Sequence, residues 1–274
     1  MRLLRKGKES TYIFHRNAKE ILAFSWRLFV RTIGAKYRQS FLGYFWMVLP
    51  AILVTAAVSL AGRAGLINPG DTVLPYPLFV LSGTLLWQVF AEAVEVPYKA
   101  FVGARSYLTR VYCSRVAIIL VQLYEAIVVS MVKMTFVLLL LWIFTDIGMQ
   151  ATLLISACFL VAVLLGVGIG AVLAPFMLLI QDLHNTVRLI LTYGLFLTPA
   201  LYIPGEATVF SALVQWNPIT PLMDSMRSYA ANAMISHSGL GFTFLAAAAL
   251  TGFGMFLVHI SAPIVIERML LGGR

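Results

Sequence analysis

The sequence predicts an all-α integral membrane protein. It predicts six transmembrane helices, an N-terminal amphipathic helix at the membrane interface, re-entrant external helices and both termini in the cytoplasm. Three observations carry this. Of 274 residues, 61% are hydrophobic and 11% are charged, with a mean hydropathy of +0.91, whereas a soluble domain is about half apolar and a quarter charged. Six stretches are apolar over a span-like length, a crossing taking about 20 residues. Almost all the Lys and Arg then fall on one side of the membrane if those six alternate. A water-soluble enzyme, a nucleic-acid-binding domain and a disordered tail are excluded by the composition.

The spans follow from runs of apolar residues. They are expected at 41–62, 76–96, 116–144, 151–180, 189–203 and 240–266. The third is long enough to tilt or protrude, and the fifth is short. With the N-terminus inside, residues 1–40 place ten Lys or Arg in the cytoplasm. Lys99, Arg105, Arg110 and Arg115 add to them from the loop Pro97 to Arg115, as do Arg188, Arg268 and Arg274. Only Arg63 and Arg227 fall outside, and Lys133 lies within the third span. This asymmetry is the positive-inside rule obeyed. The basic start, Met1 to Ser10, is not followed by an apolar signal core, because Arg16, Lys19, Glu20, Arg27 and Arg31 interrupt it, so no cleaved signal is expected. A single transmembrane domain over 1–274 is expected.

Two segments are neither spans nor plain loops. Residues 14–38 show helical periodicity, with Phe14, Ala18, Ile21, Leu22, Leu28 and Phe29 roughly on one side and Arg16, Lys19, Arg27 and Arg31 among the polar positions. That pattern predicts an amphipathic helix on the inner face of the membrane, where cations favour anionic headgroups. Residues 204–239 form an external segment too apolar for a coil in water. Short helices are expected at 207–216 and 221–234, dipping into the outer leaflet as a re-entrant hairpin. Irregular backbone at that depth requires surrounding protein or water.

Several chemistries are missing from the sequence. No GxxxxGK[ST] loop is present to cradle phosphates; Gly7-Lys8-Glu9-Ser10 lacks the preceding glycine. His15, His184, His237 and His259 have no metal-ligand spacing, and Cys113 and Cys158 form no CxxC, so no metal site is expected. Ser82-Gly83 has no evident histidine partner for hydrolysis. No catalytic residue is assigned.

Ionisable residues inside spans are costly and face protein or water. Glu92 and Glu95 lie near the inner end of the second span, and Glu125 and Lys133 lie in the third. Pairing within the bundle, or reach to the interface, competes with an ion-relay role. Glu125 is not cleanly on the Lys133 face, and no chain of carboxylates crosses the bilayer. Tyr44, Phe45 and Trp46 suit an interfacial belt. Tyr193, Phe196 and Tyr202 run along the fifth span, where they either stack on sugar rings or contact lipid and core.

Four ordered stretches carry a resemblance that reaches from about Trp26 to Ile266. They are Lys36-Tyr37-Arg38-Gln39-Ser40-Phe41-Leu42-Gly43-Tyr44-Phe45-Trp46; Pro75-Tyr76-Pro77-Leu78-Phe79-Val80 with Gly83 and Trp87; Leu197-Thr198-Pro199-Ala200-Leu201-Tyr202; and Trp216-Asn217-Pro218-Ile219 with Arg227. With them the chain resembles the permease subunits of ABC polysaccharide exporters of the O-antigen, capsule and teichoic-acid type. It departs from the family at Gln181-Asp182, where an Arg-Asp pair is common, and at Lys133.

The resemblance implies a bacterial inner-membrane homodimer working with two separate ATP-binding-cassette subunits. Those subunits would bind ATP and Mg, and this chain would need no cofactor. The basic inner loop with Arg105, Arg110 and Arg115 would couple to the ATPases. A lipid-pyrophosphate-linked glycan would enter at the Leu42-Gly43 turn and meet Lys36 and Arg38, whose alternative role is topology alone. Tyr44, Trp46, Tyr193, Phe196 and Tyr202 would line the channel. Pro204, Asn217, Pro218 and Arg227 would belong to an external gate. An exporter permease for a drug or simple lipid is the alternative. A membrane enzyme acting on lipid-linked sugars lacks a catalytic constellation, and a scaffold or channel subunit would show no turnover.

Overall fold

A computed structural model of the protein describes residues 18–37, 45–66, 70, 72–108, 115–203, 214, 217–231 and 238–271. Among them the chain is helical and contains no strand. The helices are α1 (Ala18–Tyr37), α2 (Phe45–Arg63), α3 (Tyr76–Val94), α4 (Val96–Leu108), α5 (Arg115–Phe144), α6 (Met149–Leu179), α7 (Gln181–Leu197), α8 (Thr220–Ala230) and α9 (Ser238–Leu271). Five of these, α2, α3, α5, α6 and α9, are long and apolar enough to cross a membrane. The protein is a multi-pass helical membrane protein.

The element bounds differ from expectation in instructive places. The helix expected at 189–203 is α7, and it starts eight residues earlier and stops at Leu197. Ile180, extended at φ −125° and ψ 103°, is the whole connection between α6 and α7. The polar residues Gln181 to Arg188 therefore belong to a helix and not to a loop. Asp182 and Arg188 hide its start from a search for apolar runs. The loop expected from Pro97 begins instead as α4, which follows α3 through the single residue Glu95. Pro97 has no N–H for the carbonyl one turn back, so the rod is interrupted there without being ended. Of the external segment, α8 realises the second expected short helix; the first, at 207–216, lies outside the described residues apart from Val214.

The core is built on α6. This helix packs on α9 and α3, and α4, α5 and α8 also lean on it. In α3, 78% of the apolar window is buried, and in α6 67%, against 17% in α2. The helices thus divide into a buried pair and a periphery with exposed apolar faces. Without a hydrophobic drive between helices in lipid, close approach through small residues becomes the main source of packing. Gly166 and Gly170, one turn apart on α6, let it lie against the backbone of α3. A methyl group at Gly166 would stand 2.6 Å from Phe90 O, and one at Gly170 would overlap Val94 O. On another side of α6, Gly254 of α9 sits over Ala171 and the Gly168 carbonyl. Thr251 Oγ1 completes this contact by donating to Leu164 O at 2.9 Å.

The ends are fixed by ordinary chemistry. After α2, Gly65 adopts φ +73°, and the N–H groups of Gly65 and Leu66 donate to Gly62 O and Ala61 O. That double bond closes the helix in the left-handed glycine cap. α1 lies on α5, where the rings of Trp26, Phe29 and Tyr124 meet at 5.3 to 5.7 Å. Among its described side chains Ser25 and Phe29 are buried, while Leu22, Trp26 and Val30 are exposed. Lys19, Arg27 and Arg31 are exposed as well.

Candidate functional site

The motif residues of three distant segments meet at the end of the bundle that carries α8. The centre is Arg227. Its position on α8 is set by Pro218 and Pro221, which suit a helix start, and by Thr220 Oγ1, which donates to Val214 O at 2.8 Å. Arg227 is only 5% exposed. Its Nη1 donates to Pro199 O at 2.6 Å; its Nη2 donates to Ala200 O at 3.0 Å and to Phe79 O at 3.2 Å. The guanidinium lies 3.5 Å from the centre of the Phe79 ring. Gly83 makes room for it, since a methyl group there would come within 2.6 Å of Nη2.

These bonds satisfy the backbone just beyond α7, where the last carbonyls of a helix lack partners. Thr198 Oγ1 donates to Gly194 O at 2.7 Å, and Tyr76 Oη donates to Leu201 O at 3.0 Å. Asn217 joins the same turn: its Nδ2 donates to Thr198 Oγ1 at 3.0 Å, and its Oδ1 accepts from the Ile219 N–H. Burial lowers the Arg227 pKa to about 10 against the pull of Asp224, which leaves the group charged at neutral pH. A charged fork on neutral carbonyls, stacked on a ring, suits arginine and not lysine.

From this node α7 runs back along α6 and α3 and meets α4 at its start. Trp87 Nε1 donates to Leu191 O at 3.0 Å, and Gly194 accommodates the Trp87 ring. At the far end the rings of Tyr98 on α4 and His184 on α7 stack at 3.9 Å and 15°. The opposite face of α7 is bare. Leu189, Ile190, Tyr193, Phe196 and Leu197 are all more than half exposed, as is Trp46 on α2.

The expected site residues thus separate. Tyr193 and Phe196 share the bare face of α7, while Tyr202 is half-buried past its end. Asn217 and Arg227 are brought together at the node, with Pro218 exposed beside them. Arg227 is an internal fastener there and offers no free surface. Lys36, Arg105 and Arg115 lie in α1, α4 and at the start of α5, with side chains outside the described set. Arg38, Leu42, Gly43, Tyr44, Arg110 and Pro204 also lie outside the described residues.

Sequence reasoning missed three pairings. Lys133 meets Glu92 at 2.7 Å and not Glu125. Trp87 fits over Gly194, and Tyr98 over His184. Only the Trp87–Gly194 match had a signal, a large indole and a glycine each within a resembling or adjoining stretch. No group of three His, Cys, Asp or Glu able to hold a metal occurs among the described residues. Compared with protein-family models and with curated proteins, the chain finds no match in either.

Proposed function

We propose that this chain is the membrane-spanning permease subunit of an ATP-driven exporter of a lipid-linked polysaccharide in a bacterial cytoplasmic membrane. Two copies form the permease, and two separate ATP-binding-cassette subunits hydrolyse ATP. On this reading α7 is the fifth of six spans, α4 and both termini are cytoplasmic, and α8 stands at the external side. Arg38 and Lys36 meet the pyrophosphate of the cargo, since guanidinium and ammonium groups favour that anion. Arg105, Arg110 and Arg115 belong to the surface that docks on the ATPases.

The observation that carries the reading is the convergence at Arg227. Residues 76–87, 197–202 and 217–227, three of the four stretches that resemble the exporter permeases, contact one another there. The bare aromatic face of α7 supports it further. Tyr193 and Phe196 offer rings on which sugars stack, and they stand free for a second copy and a cargo path between the two.

Depletion of the chain in its host tests the reading. Surface glycan should fall while lipid-linked glycan accumulates in the cytoplasmic membrane. Unchanged levels of both would move the cargo to a drug or simple lipid.

A further inference from the structure

Three attachments hold α7 to the rod formed by α3 and α4: the turn beyond its end at Tyr76 and Arg227, its middle at Trp87, and its start at Tyr98. Tyr76 and Trp87 are on α3, and Arg227 is on α8. The third is different, because Tyr98 belongs to α4 and follows the interruption at Pro97. Lys99 Nζ lies 2.6 Å from Glu95 Oε2, which bridges the interruption on another side of the rod. Next to His184 on α7, Gln181, Asp182 and Asn185 are exposed. The ring stack joins α4 to the start of α7, which Ile180 also ties to α6.

We propose that the Tyr98–His184 stack is the joint through which displacement of α4 moves α7. The inference rests on the reading of α4 as the ATPase-docking helix. A helix that bends at Pro97 carries Tyr98 with it, while Tyr76 and Trp87 stay with α3. Parallel rings 3.9 Å apart transmit a push along their normal and resist separation by the area they bury. The start of α7 then follows α4 by turning about the single-residue connection at Ile180, and its other end stays pinned by Arg227. The result is a tilt of the aromatic face that carries Tyr193 and Phe196. Tyr98 and His184 are positioning residues and touch no cargo.

The test uses the complete complex in membrane vesicles, with ATP hydrolysis and glycan export measured together. Tyr98→Ala and His184→Ala should keep ATP hydrolysis and lower glycan exported per ATP by roughly tenfold, a common size for coupling between sites. Tyr98→Phe and His184→Phe keep the stack and should retain the wild-type ratio. Wild-type ratios in both alanine variants would overturn the joint. If neither alanine variant assembles, a reversible disulfide decides, carried by a short reducible cross-linker between Tyr98→Cys and His184→Cys in a chain lacking Cys113 and Cys158. Export that continues with the disulfide closed means that the two helices move as one. Export that stops and returns on reduction means that they move apart, which overturns the proposal. Disulfide formation itself does not depend on the transport reading. A wild-type chain that binds no ATPase subunit would defeat that reading while leaving the pairing of α4 with α7 intact.

Discussion

Lys133 Nζ lies 2.7 Å from Glu92 Oε1, and the two side chains are unequally buried: that of Lys133 is 0% exposed and that of Glu92 48%. The lysine is enclosed between helices, and the glutamate opens to the surface of a mostly buried α3. Removing one partner of a buried pair costs far more than removing both, because a lone charge remains. The asymmetry sets which removal is worse. Glu92→Gln strands a buried ammonium and should destabilise the protein by roughly 3 kcal/mol. Lys133→Met strands a carboxylate that already reaches solvent or a neighbour, and it should cost clearly less. The double variant should recover most of the loss. Thermal unfolding in detergent reads all three, and equal losses in the two single variants would contradict this account.

Arg227→Lys should not conserve the fastener beyond α7. An ammonium cannot reach the carbonyls of Phe79, Pro199 and Ala200 with one planar fork or lie flat on the Phe79 ring. Leaving buried carbonyls without donors costs about 1–3 kcal/mol each. The expected result is a lower melting temperature and faster proteolysis between α7 and α8 for Arg227→Lys and Arg227→Met alike. A lysine variant as stable as the wild type would reduce Arg227 to a simple counter-charge.

Glycine substitutions should change sign along the bundle. Gly170→Ala drives a methyl group into Val94 O and should part α3 from α6. Gly252 on α9 has open space at its Cβ position, so Gly252→Ala should be neutral or gain up to about 1 kcal/mol from helix propensity. Melting temperatures of the two variants check the contrast; a harmless Gly170→Ala would mean that the helices are less close than described.

Tyr193→Ala with Phe196→Ala should leave folding unchanged, since both rings are more than half exposed. Export of long chains should slow. The pair of readings, stability beside glycan flux, separates a cargo contact from packing. Wild-type flux would return both rings to lipid contact.

Hydropathy alone located the five long apolar helices, because a spanning helix needs an unbroken apolar surface and little else. It missed the start of α7, where Asp182 and Arg188 make the surface mixed while the backbone stays helical. It missed α4 for a related reason, since Pro97 reads as a loop although Lys99 N–H still bonds Glu95 O at 2.9 Å. The site was legible in pieces. Asn217 and Arg227 were marked as one region, but their shared target, the turn at Thr198 to Ala200, is set by tertiary packing. The Lys133–Glu92 pair joins positions 41 apart, and no periodicity within one helix can reveal such a partner.

ATP-dependent transfer of a labelled lipid-pyrophosphate glycan into inside-out membrane vesicles tests the central claim most directly. Vesicles containing this chain and its ATPase subunits should move the glycan to the lumen only when ATP is hydrolysed, and vesicles lacking this chain should not. Equal transfer with and without the chain would contradict its assignment as the permease.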